Sequence, residues 1–266
     1  MVKQVVHTFY DKWAICSFYI FKDGRFSMQY ICDIKLNRSI SKASYLYDLP
    51  VIQYLSKHKS IPLTHNVTFF VGENGTGKST LLEAVAVAYG FNAEGGTKNF
   101  NFSTKNSHSE LFEYITLAKA KFPKDGFFLR AESFYNAASY IDEQQDLIKS
   151  YGGISLHKQS HGESFLSLIQ NRFGGNGIYI LDEPEAALSP TKLFTLIVEI
   201  DMLVKKNSQF IIATHSPILL AFPNAQIYEF SEKGIETVSY KETEHYQLTR
   251  RFLENPEKML KYLLED

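Results

Sequence analysis

Short apolar runs alternate with amphipathic stretches along most of the chain. Residues 13–21 and 25–33 are rich in Ile, Phe, Tyr and Cys and flank Asp23-Gly24, a dipeptide suited to a hairpin turn. Residues 67–71, Val-Thr-Phe-Phe-Val, form an apolar run ending at Gly72, the pattern of a buried central strand. Residues 79–89 read as a helix, with Leu81, Leu82, Val85, Ala86 and Tyr89 on one face and Gly90 as its stop. Residues 91–109 are polar, contain Gly95 and Gly96, and read as a loop. A helix is predicted over 110–121 and a strand over 126–132, around Phe127, Phe128 and Leu129. Helices follow over 133–150 and 163–171, with 151–160 irregular between them. Gly174-Gly175-Asn176-Gly177 then breaks the chain before a third buried strand at 178–181. Residues 189–205 read as an amphipathic helix, 209–213 as a fourth strand, and 225–230 with 235–240 as a hairpin. A last helix has Asn255 as N-cap, Pro256 at its first position, and Met259, Leu260, Leu263 and Leu264 as its apolar face. Strands alternating with helices across 67–216 predict an α/β core with a mixed, mostly parallel sheet, an N-terminal antiparallel β region and a small helical lobe.

Composition narrows the field. The 266 residues are 44% hydrophobic, enough for one large domain or two small ones with a real core. Lys and Arg number 28 against 29 Asp and Glu, so the net charge of −1 offers no global pull toward nucleic acid or anionic membrane. Cys16 and Cys32 are too few for a disulfide framework or a four-Cys zinc site and are read as free thiols. No apolar run reaches the ~18 residues of a membrane span, and a soluble, cytoplasmic protein is expected.

The strongest local signal is Gly72-Glu73-Asn74-Gly75-Thr76-Gly77-Lys78-Ser79, followed by Thr80. It matches G-x-x-x-x-G-K-[ST], a pattern that chance would supply in roughly one chain in a hundred. Here an apolar strand enters the loop and an amphipathic helix leaves it. Glycines let the backbone turn its amides toward phosphate oxygens, and the helix adds the positive end of its dipole. Lys78 is placed for the β- and γ-phosphates, and the Ser79 hydroxyl for Mg²⁺. The motif says nucleotide, without separating kinases, GTPases and ATPases.

About 110 residues further on, the apolar run 178–181 ends in Asp182-Glu183-Pro184. Asp182 sits where a carboxylate holds Mg²⁺, and Glu183 is placed to polarise the attacking water as a general base. Alternation along a strand sends the two carboxylates in different directions, which suits two tasks.

Three further segments carry a resemblance. Gln159-Ser160-His161-Gly162-Glu163 resembles the signature sequence of ABC-type ATPases, 22 residues before Asp182. Ala187-Leu188-Ser189 resembles the D-loop, and Ala213-Thr214-His215-Ser216-Pro217 the switch-histidine segment. Across roughly residues 29–254 the chain resembles small stand-alone bacterial ABC-type (P-loop) ATPases of the AAA family, related to SMC and RecF head domains. The chain is read as one ABC-type domain over 1–266, with the first 28 residues an extension beyond the resemblance. Its parts would be a β region (1–66), the P-loop core (67–132), a small helical and signature lobe (133–171), the rest of the core (172–240) and a helical tail (241–266). The resemblance implies ATP and Mg²⁺ as ligands, bound by residues 72–80, and an ATP-dependent homodimer. Ser160, His161, Gly162 and Glu163 would meet the nucleotide of the opposite copy, and His215 would contact the γ-phosphate in cis.

The sequence departs from that pattern in places. His161 replaces the usual first glycine of the signature; it either contacts phosphate or points outward. No glutamine stands at the Q-loop, for which Glu132 is the candidate replacement, unless Glu132 or Ser133 simply starts a helix. Tyr45 and Tyr47 are candidates for stacking on adenine or for core packing. Residues 133–159 number only 27, too few for a long coiled coil or a large transporter-type subdomain. The favoured role is therefore a compact ATPase head acting on a soluble effector or on nucleic acid. An ATPase subunit of a membrane transporter and a low-turnover nucleotide-gated switch are the alternatives. Lys119, Lys121, Lys124, Lys205, Lys206, Arg250 and Arg251 form either a DNA-facing surface or ordinary solvated faces.

Overall fold

A computed structural model describes residues 19–20, 26–27, 29–97, 109–143 and 155–264. Its centre is a six-stranded sheet of β5 (Val67–Gly72), β7 (Asp125–Arg130), β8 (Gly177–Asp182), β9 (Gln209–Ala213), β10 (Gln226–Ser231) and β11 (Gly234–Thr237), in the order β11-β10-β5-β9-β8-β7. All pairs are parallel except the β10–β11 hairpin. A three-stranded antiparallel sheet packs beside it, with β3 (Ile31–Leu36) between β4 (Ser60–Pro62) and β6 (Ile115–Lys119). The predicted N-terminal hairpin is described as two short antiparallel strands, β1 (Tyr19–Ile20) and β2 (Phe26–Ser27). Its Asp23-Gly24 turn lies outside the described residues.

The central strands are buried on both faces, which is why they read as unbroken apolar runs. Period-2 alternation divides them between two cores. Phe69, Tyr179, Leu181, Phe210 and Ile212 face α4 (His161–Arg172) and α5 (Pro190–Lys205). Phe70, Ile178, Ile180, Ile211 and Ala213 face α1 (Pro50–His58) and α2 (Lys78–Tyr89). Two buried glutamines fasten the small sheet to the large one. Gln209 Oε1 accepts from the amides of Tyr30 and Ile31 at 2.8 and 2.9 Å, and its Nε2 donates to the Ile31 carbonyl at 2.8 Å. Gln226 Oε1 accepts from the Thr64 amide at 2.9 Å.

Three expectations are corrected. Residues 110–121 are not a helix: after a 3-10 turn at Glu110–Tyr114 the chain enters β6. Ile115 and Leu117 face inward while Thr116 and Lys119 are exposed, so pairing with β3 overrides helical spacing. The N-terminal 66 residues are not purely β, because Leu49-Pro50 opens α1 there. Cys32 is disulfide-bonded rather than a free thiol. The one other cysteine, Cys16, lies outside the described residues; spacing alone says nothing about whether two Cα atoms come close enough to pair. The predicted helix over 133–150 is described as α3 (Phe134–Glu143), and 144–154 lie outside the described residues. A short helix, α6 (Pro217–Leu220), follows β9, and α7 (Glu244–Glu254) precedes α8 (Pro256–Leu264), whose Leu263 and Leu264 are exposed. Among the described residues, no helix is long and apolar enough to cross a membrane.

The far end of β7 carries a half-buried polar knot. Asp125 accepts from Arg172 Nη1 at 2.7 Å, the Gly174 amide at 2.9 Å and the Tyr179 hydroxyl at 2.8 Å. Burial alone would raise its pKa, but the Gly174 amide and Arg172 hold it below the usual carboxylate range. Asp125 therefore stabilises the fold above the ordinary carboxylate pKa, and that contribution is lost as pH falls through the depressed folded value. Asp125→Asn is expected to cost about 1.5–3 kcal/mol at neutral pH and to flatten the acid limb of the stability curve, both readable by urea unfolding between pH 3 and 7.

Candidate functional site

The chemistry gathers at the C-terminal ends of the parallel strands, where open α/β sheets bind ligands. Register explains the convergence. Arg130 pairs with Asp182, Asp182 with Ala213, and Phe70 with Ala213, so β7, β8 and β9 end at one level and β5 runs two residues past it to Gly72. The loop after β5 then wraps over the start of α2.

Gly77 has φ +92°, and a Cβ there would lie 2.6 Å from Val51 of α1. Only glycine lets the loop close against that helix. Lys78 is buried, and its ammonium donates to the Glu73 carbonyl at 2.7 Å; the Thr76 hydroxyl donates to the same oxygen at 2.9 Å. Burial lowers the Lys78 pKa, while Glu183 and Asp182 act to raise it. Glu73, Asn74 and Gly75 are exposed at the rim, and Ser79 and Thr80 occupy the first turn of α2, half-buried. The Ser79 hydroxyl donates to Asp182 Oδ1 at 3.1 Å.

Asp182 is buried, and burial pushes its carboxyl up to about 6, against the opposing pull of Arg130. Arg130 stands 3.4 Å from Asp182 Oδ2 through Nε, 2.7 Å from Glu83 through Nη1 and 3.5 Å from Glu132 through Nη2. Removing this cation in Arg130→Met is expected to raise the Asp182 titration midpoint further, measurable by carboxyl ¹³C NMR on the nucleotide-free protein.

Glu183 holds a left-handed backbone, φ 49° and ψ 52°, rare for a residue with a long side chain. The conformation costs of order 1–3 kcal/mol and persists where surrounding structure over-determines it. Its amide donates to the Ala213 carbonyl at 3.0 Å, which fixes the turn. Its Oε1 lies 3.6 Å from His215 Nε2. The His215 amide is held by the Glu185 carboxylate, and its Nδ1 lies 2.9 Å from His245 Nε2 of α7.

The signature residues are placed differently from one another. Ser160 and Glu163 sit exposed at the N-terminus of α4 and bond each other. Gly162 is buried; a Cβ there would lie 2.8 Å from the Ala187 carbonyl, so this glycine lets α4 pack on the turn Pro184–Ala187. His161 packs edge-on against Phe134 and lines a cleft of about 230 Å³ with Ser79, Arg130, Glu132, Asp182 and Glu183 of its own chain. His161 thus faces a cleft of its own chain. Glu132 points into that cleft with a largely exposed side chain. Tyr47 packs on the α1–α2 core, whereas Tyr45 is exposed and bonds Ser109.

Four of the seven basic groups have local partners. Lys205 pairs with Asp201 and Arg250 with Glu254, one helical turn apart, while Lys119 and Lys121 stand over the Tyr89 and Tyr30 rings. Sequence reasoning missed Arg130, Glu83, Glu185 and His245. Arg130 left a readable trace, a charge ending an apolar strand at the level of Asp182; the other three depend on tertiary contact.

The loop fits a nucleotide triphosphate: its glycines leave the backbone bare, its lysine is desolvated inside it, and the Ser79–Asp182 oxygen pair suits a hard cation. Comparisons agree. An AAA-domain family model matches residues 51–122. A second AAA-domain model, whose description names an AbiEii toxin and a Type IV TA system, matches residues 155–221. The galactose/methyl galactoside import ATP-binding protein MglA 2 of Photobacterium profundum is 25% identical over 188 residues, 63% of this chain; the match spans only 37% of that relative's length. Among solved structures, cbiO1 of Clostridium perfringens, part of the ABC transporter complex cbiONQ, superposes with a TM-score of 0.48 at 18% identity, covering 90% of this chain and 100% of that one. The SMC head domain of Thermotoga maritima gives 0.43 at 15% identity, covering 80% and 99%. Strand order, loop and carboxylate placement define a P-loop nucleotide-binding protein. Within that class the chain is similar to AAA-domain proteins over residues 51–122 and 155–221 and to an ABC-type ATP-binding protein over 188 residues.

Proposed function

We propose that this chain binds ATP with Mg²⁺, closes with a second copy head to tail over the nucleotide, and hydrolyses it to reset a soluble effector or a nucleic-acid process. The reading rests on the convergence of Lys78, the Ser79–Asp182 pair and the Glu183–His215 pair at one strand-end level.

Lys78 would exchange the Glu73 carbonyl for β- and γ-phosphate oxygens. Ser79 and Asp182 would hold Mg²⁺, which supplies neutralisation of phosphate charge. Glu183 takes the proton of the attacking water as the water oxygen bonds to the γ-phosphorus. The bond to the β–γ bridging oxygen breaks, and ADP leaves with the electron pair. His215 Nε2, already directed at Glu183, would donate to a γ-phosphate oxygen. Ser160 of the opposite copy would give up Glu163 as its acceptor for that phosphate.

Sedimentation tests the closed dimer. Glu183→Gln with MgATP is expected to sediment as a dimer and with MgADP as a monomer; a monomer in both overturns the sandwich. A second reading, an importer's ATPase subunit, is favoured by the likeness to the galactoside import ATP-binding protein. Capture of a membrane protein by the ATP-bound Glu183→Gln variant from its host would support it.

A further inference from the structure

The geometry points to His245 as a positioning residue that sets the tautomer of His215 and so presents an N–H, rather than a lone pair, to the γ-phosphate. The inference deepens the proposed ATPase reading and rests on its assignment of His215.

The two imidazoles are 2.9 Å apart, His215 Nδ1 to His245 Nε2, with ring centroids 5.0 Å apart and planes at 47°. Both rings are half-buried, and burial, followed by the Lys78 ammonium, holds both below the usual histidine pKa. Two neutral imidazoles at hydrogen-bond distance share one proton, and only two arrangements exist.

In the first, His245 Nε2–H donates to His215 Nδ1. His215 then carries its proton on Nε2, the atom facing Glu183 Oε1 at 3.6 Å. A donor meets a carboxylate, which is favourable. His245 Nδ1, a buried atom with no hydrogen-bond partner, is left as an acceptor. In the second, His215 Nδ1–H donates to His245 Nε2. The His215 Nε2 lone pair then faces the Glu183 carboxylate, and His245 carries an N–H on the same partnerless buried nitrogen. Lone pair against carboxylate is repulsive, and an orphaned buried N–H is rarer than an orphaned acceptor. Both differences favour the first arrangement.

The first arrangement is also the useful one. A γ-phosphate needs a donor from His215, and His245 guarantees that the proton sits on Nε2 before nucleotide arrives. The backbone on each side is fixed independently: Glu185 holds the His215 amide, and Thr243 caps α7 through its hydroxyl at the Tyr246 amide. His245 therefore acts from an element outside the strand-end cluster, the helix after the β10–β11 hairpin.

Long-range ¹H–¹⁵N NMR of the histidine rings in nucleotide-free protein tests this directly. Wild-type His215 is expected as the Nε2–H tautomer. In His245→Phe, which keeps ring volume and loses the donor, the Nδ1–H tautomer is expected to appear; in His245→Gln, whose amide restores a donor, the Nε2–H form is expected to return. ATPase assays should follow: kcat falls about tenfold in His245→Phe, a milder loss than that of a charged orienting carboxylate, with KM changed far less and most of kcat recovered in His245→Gln. An Nδ1–H tautomer in the wild type overturns the inference whether or not the variants fold, as does an unchanged His215 spectrum in His245→Phe. A tautomer shift in a protein whose wild type shows no turnover would instead sink the hydrolytic reading and leave the positioning intact.

Discussion

Glu183→Gln is expected to lower steady-state ATP turnover about 10²–10⁴-fold, the usual worth of a positioned general base. The substitution keeps side-chain volume and the hydrogen bond that the residue 183 amide donates to the Ala213 carbonyl, so the left-handed turn after Asp182 should survive. What it removes is the oxygen that takes the proton. It also removes one of the carboxylates closest in effect to Lys78, so nucleotide affinity should hold or rise slightly. The test pairs a phosphate-release assay with calorimetric ATP titration on both proteins. Lost turnover with retained binding supports the base assignment. Turnover within about threefold of wild type would show that proton transfer from the water is not the step that limits the rate, or that another group performs it.

The parts of this site that could be read in the sequence are those whose chemistry is written into consecutive residues. A phosphate loop needs its glycines and lysine in one run, and the acid pair must follow an apolar strand; the structure places the run between β5 and α2 and the acids at the end of β8. The buried strands were equally legible, because β5, β8 and β9 face two cores and have no polar side. Residues 110–121 were not: Ile115, Leu117 and Ala118 fit a helical face until β3 supplies a pairing partner. The same holds in the site. Arg130 acts because parallel register sets it beside Asp182, and His245 because α7 folds back onto His215. Neither contact follows from local spacing. The segment 159–163 could be read as signature-like, but its packing was hidden. Gly162 is required by the Ala187 carbonyl of its own chain, and His161 turns into its own cleft.

Lys78→Ala is expected to weaken MgATP binding at least about 100-fold, since a lysine that bridges two phosphates makes more than one charge-assisted hydrogen bond worth about 1.5–3 kcal/mol each. Folding and binding can be separated. Burial lowers the Lys78 pKa despite the carboxylates around it, so its ammonium is less comfortable folded than in water. Removing it should not destabilise the nucleotide-free protein, even though the 2.7 Å bond to the Glu73 carbonyl is lost. With ATP present the two proteins should diverge. At 100 times the wild-type Kd, ligand linkage adds about 2.7 kcal/mol to the wild type. A variant bound 100-fold more weakly gains about 0.4 kcal/mol at the same concentration. Thermal unfolding with and without MgATP therefore reads the assignment without any need for turnover. An equal ATP-induced rise in Tm for both proteins would mean that Lys78 does not touch the phosphates, and the loop's buried ammonium would then need a purely structural explanation.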